Sequence, residues 1–241
     1  MFGTVNQSGD CEVDGGWRRA GRWLLSPRCL LCHEAGTNGR DLCRACTTAL
    51  PWNRSACLRC ALPLPVAGVC GHCLHQPPPL AQAHAAFVYG FPLDRLAPRF
   101  KFHHDLAAGQ LLAGLMADAF AALPRPEALL PVPLHRRRLR RRGFDQALEL
   151  AKPLSRVLNL PLRADLLRRH RATAAQSELD AVARQRNLRD AFVVETRQRL
   201  PQHVVLVDDV MTTGATLHAA ANALLRAGVA RVDAWVCARV P

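Results

Sequence analysis

The chain is almost without lysine. Of its 32 basic residues only Lys101 and Lys152 are lysine, and the others are arginine. It is also poor in aromatics, with four Trp, eight Phe and one Tyr among 241 residues, so its core is expected to be Leu-, Ala- and Val-rich. No run of about 18 apolar residues occurs, which excludes a membrane-spanning helix. The opening MFGTVNQSGDCEVDGG is polar and lacks the apolar stretch of a secretory signal. A cytoplasmic protein with no membrane insertion is expected. Thiols stay reduced in that compartment, so ten cysteines speak for metal binding or catalysis before disulfides.

What is in excess is positive charge, +13 at neutral pH. Arginine grips phosphate bidentately and keeps its charge when half-buried. One reading is a phosphate-bearing partner, nucleotide or nucleic acid. The other is an arginine-rich codon bias, which explains the total better than it explains local clusters.

The cysteines form a repeat. CLLC (Cys29, Cys32), CRAC (Cys43, Cys46), CLRC (Cys57, Cys60) and CGHC (Cys70, Cys73) lie inside 45 residues, separated by ten, ten and nine residues. A C-x-x-C turn sets two thiolates side by side, and two such turns complete a tetrahedral zinc site. Two structural zinc ribbons in tandem are expected over residues 29–75. Sequential pairing puts Cys29, Cys32, Cys43 and Cys46 on one ion and Cys57, Cys60, Cys70 and Cys73 on the other; interleaved pairing is the alternative. A redox motif fits one C-x-x-C, not four in register. The segment has few large apolar residues, so zinc supplies its folding energy. Cys237, in an apolar stretch, reads as a core residue.

An N-terminal extension (1–28) precedes the ribbons. The proline-rich stretch 76–83 reads as a stiff linker, and 84–241 as an α/β domain. Strand signals at 84–91, 128–133, 191–194, 203–209 and 231–239 alternate with helical periodicity at 106–123, 144–158 and 215–228. Pro153 predicts a kink and Gly228 a helix stop. This alternation predicts a mainly parallel sheet flanked by helices, with ligands at the carboxyl ends of its strands.

One such end is VVLVDDVMTTGAT (204–216). An apolar strand runs into Asp208 and Asp209, then into a loop of threonines around Gly214 that opens a helix. Backbone N–H groups and hydroxyls at a helix start suit a phosphate. Two carboxylates would repel that phosphate but suit the vicinal hydroxyls of a sugar bearing it, with Mg²⁺ sharing them. A solvated acid pair is the plainer reading, and the strand–acid–glycine–helix order is more specific than that.

The run resembles the phosphoribosyl pyrophosphate signature of type I phosphoribosyltransferases. The wider order is similar to the ComF family of competence-associated proteins, GntX-like members included: ribbons, RFKFH (99–103), PVPLHRRRLRRRGFDQA (131–147), RHRATAAQSELDAVARQRNLRDAF (169–192), then the signature. The likeness runs from about residue 29 to the C-terminus. It implies a type I phosphoribosyltransferase fold behind a small double zinc ribbon, Mg²⁺-dependent binding of phosphoribosyl pyrophosphate, pentosyl transfer to an acceptor, and a link to DNA uptake or utilisation. By the resemblance, Asp208, Asp209, Met211, Thr212, Thr213, Gly214, Ala215 and Thr216 hold the sugar phosphate. Lys101, Arg136, Arg142 and Gln146 face pyrophosphate, and a mobile segment at 170–188 brings Arg171, Thr173, Gln176, Arg184 and Asn187 over it. Two positions depart from the family pattern: Asp145, where Asn is usual, and Ala175, where Pro is common. Asp145 either weakens a pyrophosphate contact or caps the helix it starts.

HRRRLRRRGF (135–144) packs six arginines around one leucine just past a strand end. By position it resembles the pyrophosphate loop; a solvated charged turn is the plain alternative. It also suits single-stranded DNA, although only Phe144 offers a ring for stacking. A second function class follows: a non-catalytic accessory protein of DNA uptake that binds DNA, and DNA-uptake proteins, through ribbons and arginines.

Overall fold

The computed structural model describes residues 27–103, 105–170, 191–195 and 199–241. Contacts divide the chain between Thr48 and Ala49. The described part of the smaller unit is the first ribbon. Its Cys29 amide donates to the Glu34 carbonyl at 2.8 Å, and the His33 amide returns to the Cys29 carbonyl at 2.8 Å. Helix α1 (Arg44–Ala49) begins one residue after Cys43.

The second ribbon repeats this turn. Cys57 donates to Leu62 and Ala61 to Cys57, both at 2.8 Å. His33 and Ala61, each directly after the second cysteine of its pair, are left-handed at φ 66° and 56°. A short helix α2 (Gly71–His75) carries Cys73. The repeat legible in the cysteine spacing is therefore a repeat of backbone conformation as well.

The larger unit is built on a four-stranded sheet in the order β1 (Ala83–Val88), β6 (Arg231–Arg239), β5 (His203–Met211), β2 (Ala128–Pro131). Every pairing in it is parallel. Helices α3 (Leu93–His103) and α4 (Leu106–Phe120) follow β1, α5 (Arg136–Arg142) and α6 (Gln146–Leu158) follow β2, and α7 (Ala215–Arg226) joins β5 to β6. A separate antiparallel pair, β3 (Leu167–Arg169) and β4 (Phe192–Val194), lies between α6 and β5 in the chain. Val204–Val207 of β5 are wholly buried, as a central strand covered on both faces requires.

Local signals place the helix ends. Asp105 caps α4 by accepting from the Ala108 amide at 3.0 Å, and Asp145 caps α6 by accepting from Leu148 at 3.2 Å. Helix α6 runs unbroken through Pro153. Gly228, φ 104°, follows the C-cap residue of α7. Gly109 is required where α4 meets α3, because a Cβ there would lie 2.5 Å from the Phe100 ring.

The second ribbon folds with the sheet rather than beyond a linker. The Asn53 amide donates to Ala86 at 3.0 Å and the Val88 amide to Pro51 at 2.8 Å, while the Trp52 ring packs tilted against Phe87 with centroids 4.7 Å apart. The exposed edge of β1 is thereby covered, as open strand edges usually are. The proline-rich stretch is seated too: Leu80 is fully buried and the Ala81 amide donates to Val232 at 2.9 Å. No described helix is long and apolar enough to cross a membrane.

Candidate functional site

Strand β5 extends two residues past the acid pair, so Asp208 and Asp209 sit inside its last turns of pleat rather than beyond its end. Each braces its own stretch of backbone: Asp208 Oδ1 accepts from the Asp209 amide at 2.9 Å, and Asp209 Oδ1 from the Val210 amide at 2.8 Å. Across from them Lys101 Nζ lies 2.9 Å from Asp209 Oδ2. Burial raises the Asp208 carboxyl well above the ordinary carboxylate range, and the Asp209 charge adds to it, with Lys101 opposing.

This has a consequence for stability. A carboxyl raised in the fold favours its protonated form, so stability falls as pH rises from the unfolded carboxylate range through the folded value. Asp208→Asn removes that cost. The ligand-free variant is expected to melt a few degrees higher than wild type at pH 7.5, for about 1 kcal/mol of relief, with the gap closing in a melting series toward pH 4.

Beyond the acids, Met211 is buried while Thr212 and Thr213 are exposed. Gly214 turns the chain at φ 77° as the N-cap of α7. The Ala215 amide reaches Thr213 Oγ1 at 3.4 Å and His218 donates to the Gly214 carbonyl at 2.8 Å. Thr216, in the first turn of α7, is half-buried. Met211–Thr216 thus forms a strand-to-helix turn with its amides and hydroxyls at a helix N-terminus, an arrangement suited to an anion.

The arginine run is a helix, α5, rather than the loop its position resembles or a charged turn. Arginine is a good helix former, and that propensity prevails over the repulsion of like charges. Arg136 is its first residue, and Arg138 and Arg140 are exposed. Arg142 turns inward and donates to Gln146 Oε1 at 3.1 Å. Gln146 is 2 % exposed and its amide nitrogen lies 3.5 Å from the Lys101 carbonyl. Arg142, Gln146, Lys101 and Asp209 therefore form one chain of contacts from α5 to the acid pair. Asp145 is a cap: it also accepts from the Leu134 amide at 3.0 Å, tying the β2–α5 connection to α6.

Arg171, Thr173, Gln176, Arg184 and Asn187 lie outside the described residues. Arg169, on β3, has its guanidinium 5.3 Å from the centre of the Phe192 ring and feels the charge of Asp208. Burial and the Arg138 charge push its guanidinium down, and the Asp208 charge pushes it up. Its only sequence signal is that it opens the RHRATAAQ motif. Behind the Lys101–Asp209 pair lies a cavity of about 180 Å³, lined chiefly by Tyr89, Pro98, Phe100, Leu112, Leu150 and Cys237.

The eight ribbon cysteines form two groups, Cys29, Cys32, Cys43, Cys46 and Cys57, Cys60, Cys70, Cys73, each with its sulfurs within 4.8 Å of one another. Pairing is sequential. Burial pushes the Cys29 and Cys57 thiols up, but amide donors outweigh it and bring each down to about 6. A preformed thiolate and three converging thiols fit structural zinc. Mg²⁺ takes hard oxygen ligands, and two adjacent carboxylates, one strained by its charge, fit it.

The comparisons with known proteins agree with this geometry. Residues 20–74 match the double zinc ribbon domain, and 145–241 match the phosphoribosyl transferase domain. DNA utilization protein YhgH of Escherichia coli (strain K12) is 36 % identical over 222 residues, 88 % of this chain and 96 % of that protein. Competence protein F of Haemophilus influenzae is 37 % identical over 70 % of this chain and 78 % of its own length. Competence protein ComFC of Bacillus subtilis is 28 % identical over 72 % and 73 %. With two Cys₄ groups ahead of a parallel sheet of phosphoribosyltransferase type, the chain belongs to the ComF family of competence protein F and YhgH.

Proposed function

We propose that the chain binds phosphoribosyl pyrophosphate with Mg²⁺ at the end of β5 and transfers its phosphoribosyl group in DNA uptake or utilisation in the cytoplasm. The carrying observation is the Asp208–Asp209 pair, held by Lys101 at 2.9 Å, directly before the Gly214 turn into α7. Thr212, Thr213 and Thr216 hydroxyls and the first amides of α7 take the 5-phosphate. Asp208 and Asp209 accept from the ribose 2- and 3-hydroxyls. When bound, Mg²⁺ neutralises the charge that grows on the departing pyrophosphate. Lys101, swung from Asp209, and Arg142, positioned by Gln146, stabilise the same charge; by family resemblance Arg136, Arg171, Gln176, Arg184 and Asn187 join them.

The DNA link comes from the names of the relatives. The accessory reading, DNA binding without turnover, is separated by one comparison. Pyrophosphate release is measured over a panel of bases and single-stranded DNA, beside DNA binding in low and high salt. The transfer reading expects release that disappears in Asp208→Asn/Asp209→Asn. DNA binding that survives that change, and is lost when the α5 arginines become alanine, with no release from wild type, supports the accessory reading instead.

A further inference from the structure

Arg239 ends β6, and sequence reasoning assigned it no role. Its Nε donates to the Cys60 carbonyl at 2.9 Å, and its Nη1 donates to the Met211 carbonyl at 3.3 Å and to the Val240 carbonyl. Cys60 is a ligand of the second Cys₄ group. Met211 is the last residue of β5, one step before the Thr212–Gly214 turn. The Met211 carbonyl also accepts from the Val240 amide at 3.0 Å, so two donors from the end of β6 pin it. One guanidinium therefore spans a zinc-ribbon turn and the base of the anion-binding turn. The ribbon side is itself anchored: Ala61, the left-handed residue after Cys60, is fully buried in the core of this unit, and the Ala83 amide of β1 donates to the Leu58 carbonyl at 2.9 Å.

We propose that Arg239 is a positioning residue through which the zinc-held Cys57–Cys60 turn fixes the Met211–Gly214 turn. The second ribbon is then a part of the sugar-phosphate site, not an appendage to it. Cys60 must stay in its turn for its carbonyl to face the guanidinium, and the four thiols hold that turn only around a metal. Arginine suits the task because its rigid fork reaches two carbonyls at once; lysine offers a single point.

The test is hydrogen exchange on the full chain without ligand, resolved at residues 211–214 and, as reference, at Val204–Val207. Arg239→Gln keeps both zinc ions. It is expected to speed exchange at 211–214 by about tenfold while the reference strand stays protected. Arg231→Gln, which breaks the ion pair to Asp233 at the opposite end of β6 (2.9 Å), is expected to leave 211–214 unchanged. Unchanged exchange at 211–214 in Arg239→Gln, with zinc retained, overturns the proposal, as does equal acceleration of 211–214 and 204–207. If Arg239→Gln does not fold, Arg239→Lys carries the test with the same expected direction. The exchange readout needs no substrate, although its meaning for catalysis rests on the proposed function. A companion titration with phosphoribosyl pyrophosphate expects about tenfold weaker binding in Arg239→Gln than in Arg231→Gln. Failure of wild type to bind removes the proposed function and leaves the exchange result to decide the role of Arg239.

Discussion

Gly214→Ala is expected to lower the melting temperature by about 5–10 °C and to weaken binding of a sugar 5-phosphate by at least about tenfold. The backbone there has φ 77°, and a residue with a Cβ loses about 1–2 kcal/mol in that left-handed region. The new methyl would lie 2.6 Å from Met211 Cε and 2.9 Å from His218 Nε2. Met211 is 2 % exposed, so its end has little room to give. His218 Nε2 is buried, with no hydrogen-bond partner among the described residues. The methyl therefore pushes the turn outward, for a combined cost of about 2–3 kcal/mol. The same displacement swings the first amides of α7 off the phosphate, and a hydrogen bond to a charged group is worth about 1.5–3 kcal/mol. Thermal melting and calorimetry with phosphoribosyl pyrophosphate check the two halves separately. A variant that melts lower but binds normally places the phosphate elsewhere.

The second large effect is at zinc. Cys57→Ser is expected to drop the metal content from two ions per chain to one, and to lower the main melting transition by more than about 10 °C or bring the chain out of solution. A structural zinc contributes about 10–16 kcal/mol in small peptides, while a whole domain is stable by only about 5–15 kcal/mol. The consequence is large because this ribbon is not free-standing. Trp52 and Asn53 cover the edge of β1, and Ala61 is part of the core of the sheet. Losing the turn exposes a strand edge and opens the core together. Metal analysis paired with melting curves decides; one zinc with an unchanged transition contradicts the account.

Much of this was legible in the residues. Four C-x-x-C pairs in register announced both ribbons because thiol chemistry tolerates few spacings. The apolar run before Asp208 announced the central strand, and Gly228 and Asp145 sit where helix ends need them. Other features turn on three-dimensional competition that no local pattern records. The pairing of the cysteines depends on how two turns fold back. The arginine run resembles a loop by its position past a strand end, whereas helix propensity sets its conformation. The prolines at 77–79 suggested a spacer, yet the neighbouring Leu80 is buried and the second ribbon belongs to the larger unit. Lys101 and Asp209 are 108 positions apart in the chain and meet only in the fold, where α3 carries Lys101 to within 2.9 Å of the acid. Arg239 reads as the polar end of a strand, and only the fold shows it between Cys60 and Met211.

Asp208 and Asp209 are proposed to hold the ribose of phosphoribosyl pyrophosphate. Calorimetric titration of the zinc-loaded chain with that compound, with and without Mg²⁺, tests it most directly when set beside Asp208→Asn/Asp209→Asn. Mg²⁺-dependent binding by wild type is expected, and none by the double variant, which folds because Asp208→Asn relieves a buried charge. Absence of binding by wild type, or equal binding by the variant, would contradict it.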